Sequence, residues 1–445
     1  MISPLKSKKR TKNNARTTRD FRRERETQGN RVGVINLGCA RNLVDSQAIL
    51  GQLKKQGHTI VDVKDADIAV VNTCSFIADA KKESIDTILE LVELKKQGKL
   101  RKVIVAGCLA QRYGRELAAE IKEIDAIVGT PSFAKDQVPD QVYLTPKHFA
   151  YVKICESCYN QCSFCIIPKI KGKFSSRRIE TVLAEVEQLD KKGVQEINLI
   201  GQDITAYGMD LYREYSLARL LKEMVRVTRN IKWIRLLYAF PAHVTDELID
   251  CIAKEEKICK YIDMPLQHVS DNLLKSMNRN ITAQGTHELI RKIRARIPQA
   301  SIRTTYIVGM PGETEENFQE LLQFVKDSRF EKVGVFVYSR EEGTSAFAMP
   351  DQVPEPVKRR RLKRLMAAQQ QVSEGILQRF VGRHLDVLID EQQKGQDNVY
   401  LGRTEHDAPE VDGLVYVHTN RPLRAGDFVS VKITDAFEYD LVGEC

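Results

Sequence analysis

The chain divides by the period of its apolar residues. From Arg31 to about residue 130, short β-branched runs alternate with stretches whose apolar positions recur every three to four residues. Val32–Leu37, Asp67–Cys74 and Lys102–Cys108 read as buried strands. Leu43–Gln56 reads as a helix, and another follows Cys74 and runs to about residue 97. Strands alternating with helices predict a doubly wound α/β domain on a parallel sheet. After Thr130-Pro131 a connecting stretch leads to Phe149–Ile154, which opens a second α/β region. Its further strands are Glu196–Ile200, Lys232–Leu236, Tyr261–Met264, Ile302–Val308 and Val333–Val337. Helical patterns such as Ile179–Lys192, Ser216–Thr228 and Thr314–Ser328 lie between them. Six such units predict a partial (β/α) barrel, with function on the loops at the strands' C-terminal ends. Pro354-Glu-Pro356 closes it. Val357–Phe380 then reads as a helix, with the basic run Lys358–Arg361 on a solvated face. From Gly382 the period shortens to alternating stretches between Asp, Gly and Pro turns, which predicts a small C-terminal antiparallel β-barrel. The expected divisions are a tail over 1–30 and domains over 31–146, 147–375 and 376–445.

Charge is uneven along this plan. The chain carries a formal net charge of +9, and residues 1–30 hold ten Lys/Arg against three Asp/Glu, so they supply +7 of it. Few apolar residues and no periodicity predict that this tail is disordered, either as a solvated extension or as an arm for RNA or the ribosome. Asp20, Glu24 and Glu26 speak against a transit peptide. From Val381 onward thirteen Asp/Glu face six Lys/Arg, a net of −7. A nucleic-acid-binding barrel should be basic, whereas an acidic one suits a basic protein partner. No run of eighteen apolar residues exists, and no apolar stretch follows the N-terminal charges, so neither a membrane span nor a secretory signal is expected. Ten cysteines in such a chain point to thiolate chemistry in a bacterial-type cytosol rather than to disulfides.

Six of those cysteines stand at strand ends. Cys158, Cys162 and Cys165 form Cys-x3-Cys-x2-Cys, able to wrap three corners of a cubic [4Fe-4S] cluster and leave one iron open. Adding Cys155 gives a second reading, a short four-thiolate zinc knuckle. Cys39, Cys74 and Cys108 each end a strand of the first domain, so the topology brings them to one sheet edge as a second cluster set. Singly, each reads more readily as a small buried hydrophobe; three in the same topological position point to a shared cluster. Other strand ends carry Gly201-Gln202-Asp203, a turn or a holder for the ammonium of a bound amino acid, and Gly309-Met-Pro-Gly-Glu313-Thr314, which allows close backbone approach or caps the next helix. His268 reads as a hydrogen-bonded structural residue; Cys251, Cys259 and Cys445 lack ligand spacing.

Several stretches together are specific. They are Asn36-Leu-Gly-Cys-Ala-Arg-Asn-Leu-Val-Asp45, Asn72-Thr-Cys-Ser-Phe-Ile77, Gly107-Cys-Leu109, Cys158–Pro168, Lys171-Gly-Lys-Phe174, Asp351–Glu355 and Phe437–Leu441. From about Arg31 the chain resembles the methylthiotransferase branch of the radical S-adenosylmethionine (SAM) enzymes, built from a three-cysteine domain, a radical-SAM barrel and a TRAM domain. It is most similar to members acting on an aspartate of ribosomal protein S-twelve; the alternative is a tRNA adenosine. Cys155, Ser157 and Ser175 depart from the usual pattern, where a non-cysteine, a glycine and a basic residue are common. The resemblance implies that Cys158, Cys162 and Cys165 hold a [4Fe-4S] cluster chelating SAM, and that Cys39, Cys74 and Cys108 hold another that presents sulfur. It further implies a 5′-deoxyadenosyl radical drawing hydrogen from the aspartate β-carbon, a further SAM as methyl donor, and an electron donor as partner. Gln202, Asp203, Gly309 and Glu313 are the expected SAM contacts, with no catalytic side chain beyond the cluster ligands and Cys155 a bystander. The small ribosomal subunit and RNA contact through the tail complete the expected partners.

Overall fold

Five parallel strands form the first sheet: β1 (Arg31–Asn36), β2 (Thr59–Ile60), β3 (Ile68–Thr73), β4 (Lys102–Gly107) and β5 (Ala126–Val128), in the order β2-β1-β3-β4-β5. The computed structural model describes residues 29–131, 133 and 135–445, so the expected tail lies outside it except for Gly29 and Asn30. All six positions of β3 are buried, as a continuous apolar run covered by helices requires. Helices Ala40–Lys55, Ala78–Lys96 and Cys108–Glu120 follow β1, β3 and β4. Those three strands are neighbours, which sets Cys39, Cys74 and Cys108 along one sheet edge. At the end of β4, Gly107 takes φ +90°, and a Cβ there would lie 2.3 Å from Asn72 Oδ1 and 2.7 Å from the Thr73 carbonyl. Gly98 has a similar φ of +74° with nothing near its Cβ direction. We therefore expect Gly107→Ala to cost at least about 1 kcal/mol more than Gly98→Ala in denaturant unfolding, the excess reporting the clash.

The second region places β6 (Phe149–Lys153) at the edge of a six-stranded parallel sheet, after which a two-stranded ribbon, β7 (Cys155–Glu156) and β8 (Ser175–Ser176), carries the next loop. The sheet continues through β9 (Glu196–Ile200), β10 (Trp233–Leu236), β11 (Ile258–Asp263), β12 (Ser301–Val308) and β13 (Lys332–Val337), in the order β13-β12-β11-β10-β9-β6. The sheet does not close, so one side of the barrel is left for other elements to cover. The helix that follows runs Glu355–Leu377, with Pro356 in its first turn, where a missing N–H costs nothing. Its basic run is not a solvated face. Lys358 and Arg361, one turn apart, are buried, Lys358 donating to the Tyr338 carbonyl at 2.9 Å and Arg361 pairing with Glu313 at 3.1 Å; only Arg359 and Arg360 face outward.

The terminal region is a closed barrel of β14 (His384–Gln392), β15 (Val399–Arg403), β16 (Val415–His418), β17 (Phe428–Ala436) and β18 (Leu441–Glu444), in the order β14-β15-β16-β18-β17. It is not wholly antiparallel. Five strands cannot alternate direction all the way round a ring, and the odd pair, β16 with β18, is parallel. Among the described residues no helix is long and apolar enough to cross a membrane.

Two buried ionic networks join the regions. Lys153 and Lys171 of the barrel meet Asp45 of the first domain and Glu156, every side chain less than a tenth exposed. On the other side Glu196 lies between Arg235 (2.8 Å) and Arg403 (2.7 Å) of the terminal barrel, and Arg403 continues to Asp390 and His148.

Candidate functional site

The first cysteine set is held by polar residues of the motifs around it. Asn72 on β3 donates to the Asn42 carbonyl (2.8 Å) and to Ser46 Oγ (2.9 Å), and Asn42 donates to the Leu37 and Thr73 carbonyls. Ser84 Oγ accepts from the Cys74 N–H and donates to the Cys74 carbonyl. Cys39 occupies the N-cap position of its helix. Burial works against its thiolate, but Arg41 and the backbone N–H groups of residues 41 and 42 outweigh it and lower its pKa. Burial raises Cys74 and pushes Cys108 up to about 12. Cys108 packs against Ile166 and Ile170, which follow the second cysteine set.

That second set lies on the loop after β7. Ser157 takes φ +65°, a left-handed conformation that explains why glycine is usual there, and its Oγ anchors the turn by donating to the Gly172 carbonyl at 2.6 Å. The Asn160 N–H approaches Cys158 Sγ at 3.4 Å, and Arg279 Nη1 approaches Cys162 Sγ at 3.7 Å. Burial pushes Cys158 up to about 11 and Cys165 up to about 12. Cys155 is fully buried in the barrel core, its Sγ donating to the Asp203 carbonyl at 3.5 Å. It does not line the cavity described next, which removes the fourth ligand of a zinc knuckle.

One cavity of about 480 Å³ is lined by Cys39 of the first set and by Cys158, Cys162 and Cys165 of the second, while Cys74 and Cys108 do not line it. Arg41 crosses the gap between domains, donating to the Gly201 carbonyl at 3.0 Å and lying 4.3 Å over the Tyr238 ring. Tyr238 is held at φ +68° by its N–H bond to Asp263. Inward-facing Tyr151, Tyr261, Asp263 and Arg303 form the floor, and Pro409, Glu410 and Val411 of the terminal domain form a further wall. These residues were missed in the sequence. Alternation along β11 and β12 could have suggested Tyr261, Asp263 and Arg303 as polar positions inside the barrel; nothing local marks Glu410.

Of the four expected SAM contacts, Gln202 lines the cavity and the others do not. The buried Asp203 carboxylate accepts from Thr205 and Ala206 N–H groups, Asn160 Nδ2 (2.7 Å) and His243 (2.8 Å), so it holds Asn160 beside Cys158. Glu313 accepts from the Gly309 and Met310 N–H groups and pairs with Arg361. Gly309, at φ +80°, makes room for the Lys358 side chain. Thr314 caps the next helix with Asn317 in a reciprocal box. His268 is fully buried, and burial followed by the Arg361 charge lowers its pKa to about 3, so it is a neutral structural residue.

The donor set fits iron-sulfur clusters. Buried thiols at about 11 to 12 stay protonated unless a cation takes the proton's place. Among the described residues no three His, Cys, Asp or Glu side chains converge on a single ion. A cube needs no such convergence, because each thiolate ligates its own iron.

Residues 31–129 match the uncharacterized protein family UPF0004, residues 152–325 the radical SAM superfamily and residues 381–445 the TRAM domain. The chain is 48% identical over 438 residues to "Ribosomal protein uS12 methylthiotransferase RimO" of Thermoanaerobacter sp. (strain X514), covering 93% of this chain and 99% of that protein. The proteins of the same description from Geobacter sulfurreducens and Clostridioides difficile are 46% and 45% identical, each over 93% of this chain and 98% of their own length. Among solved structures, the radical S-adenosylmethionine methyltransferase TsrM from Kitasatospora setae shares the fold at a TM-score of 0.50 and 16% identity, over 72% of this chain and 77% of that one.

Proposed function

The chain belongs to the ribosomal protein uS12 methylthiotransferase (RimO) family, and from that membership we propose that it attaches a methylthio group to the β-carbon of an aspartate in uS12. The observation that carries this is the shared cavity: a side chain entering it meets Cys39 of one set and all three cysteines of the other. Cys158, Cys162 and Cys165 would hold the cluster that binds SAM, and Cys39, Cys74 and Cys108 the one that supplies sulfur. When bound, the first provides the electron that opens SAM to radical chemistry and the second carries the sulfur to be transferred. The chain's own residues orient and shield. Arg41 pins the Cys39 turn to the barrel, Asp203 fixes Asn160 beside Cys158, and Gln202 faces the space as the SAM contact. The aromatic floor keeps water from the reacting carbon. An external electron donor completes the reaction, in the cytoplasm.

The mouth is built for a protein. Phe76, Phe336 and Val411, one from each region, line it at 40%, 51% and 56% exposure. Exposed apolar groups ringed by polar surface mark contact sites. Phe336→Ala is expected to raise KM for uS12 about tenfold with iron content unaltered, as truncation of a central anchor does. The proposal itself is tested by incubating anaerobically reconstituted protein with uS12, SAM and a reductant. Gain of one methylthio group in place of one hydrogen on an aspartate supports it. Modification of a tRNA adenosine, with uS12 unchanged, overturns it.

A further inference from the structure

We infer that Glu410 is a specificity-determining residue, whose carboxylate pairs with a lysine or arginine flanking the side chain that is modified. The inference rests on the proposed protein substrate. After β15, segment 404–412 leaves its own barrel and reaches side chains and backbone on β10 and β11 of the other. Arg235 donates to the Glu405 carbonyl (2.6 Å), the Lys260 N–H to Glu405 Oε2 (2.9 Å) and Tyr261 OH to Asp412 Oδ2 (2.6 Å). Ala408 between these anchors is fully buried. The tip is therefore fixed at both ends, and it presents Pro409, Glu410 and Val411 to the cavity.

The acidic residues of this segment are not alike. Glu405 and Asp412 accept the bonds just given, and Asp407 pairs with Lys332 at 2.6 Å. Glu410 accepts from the neutral Tyr151 hydroxyl at 3.1 Å, and among the described residues no lysine or arginine lies within ion-pair distance of it. It is also held at φ +68°, a conformation that costs a non-glycine residue energy and is retained at functional sites. The other acid of the lining, Asp263, is taken by Arg303 at 3.0 Å. The cavity's arginines are committed as well: Arg41 to Gly201 and Tyr238, and Arg279 to the Pro265 carbonyl and the Phe240 face. An exposed carboxylate at the mouth, on a domain of net charge −7, complements a cationic side chain of a basic protein.

The test is a charge cycle on the full, anaerobically reconstituted chain, with uS12 binding as the readout. Glu410→Gln should weaken binding about tenfold and flatten its salt dependence, with iron content kept. Each Lys or Arg of uS12 flanking the modified position is then replaced by Ala in turn. One of these should weaken binding to the unaltered chain about tenfold yet add nothing to Glu410→Gln. Glu410→Lys should regain binding when that same uS12 residue is made Glu. Binding by Glu410→Gln as tight as the unaltered chain, purely additive losses in every pairing, or no recovery in the swap would each overturn the assignment. Failure of the unaltered chain to bind or modify uS12 would instead overturn the functional reading on which it rests.

Discussion

Replacing Cys158, Cys162 and Cys165 together by alanine should remove about four of about eight irons from anaerobically reconstituted protein, and the matching change at Cys39, Cys74 and Cys108 should remove the other four. Each triple variant should keep the electron paramagnetic resonance signal of the set it retains, and neither should yield methylthiolated product. The reason lies in the separate scaffolding of the two sets. The first hangs on Asn42, Asn72 and Ser84 within one sheet, the second on a loop fixed by Ser157 and Asn160. Loss of one set therefore leaves the scaffold of the other whole. Zinc in the unaltered protein, or loss of the same irons in both variants, would sink the two-cluster arrangement.

Asp45→Asn should uncouple the first domain from the barrel at a cost of about 3–5 kcal/mol, the range for removing one partner from a buried ion pair. The substitution keeps shape and removes charge. It leaves two buried ammonium groups, Lys153 and Lys171, against one carboxylate, Glu156. Thermal unfolding should split into two transitions, and proteolysis should speed up between residues 131 and 148. Adding Lys171→Met restores neutrality and should recover part of the loss. A cost below about 1 kcal/mol would show that the network does not hold the domains together. Acid acts on the same network through Glu156. Burial alone would raise Glu156, yet Lys153 and Lys171 outweigh it and hold its carboxyl at about 2, below its ordinary 4.5. Its contribution to stability is thus present above about pH 4.5 and lost as pH falls from there toward 2.

What could be read from the sequence followed from strong periods. The β-branched runs ending in Cys39, Cys74 and Cys108 gave their common edge, because parallel strands with helical crossovers leave little freedom in topology. The six barrel strands were legible for the same reason. Loop polar residues were not, since Asp203 and Glu313 look alike in sequence whether they bind a ligand or brace their own loop, and their hydrogen bonds to the loop appear only in the fold. The run at Lys358–Arg361 split because a helix turns a contiguous cluster into inward and outward members. Arg41, Arg303 and Glu410 meet in one cavity from three regions of the chain, and no local pattern records that.

The path of segment 404–412 has a bearing on biosynthesis. A ribosome releases β9, β10 and β11 long before Arg403 and the loop beyond it. Until then Glu196 and Arg235 lack Arg403 and the Glu405 carbonyl, and Tyr261 lacks Asp412. The nascent barrel must wait with buried charges half paired and one wall open. A chain cut short by even this last domain would be recognisable as unfinished, because the residues that seal the reactive chamber are among the last to be made.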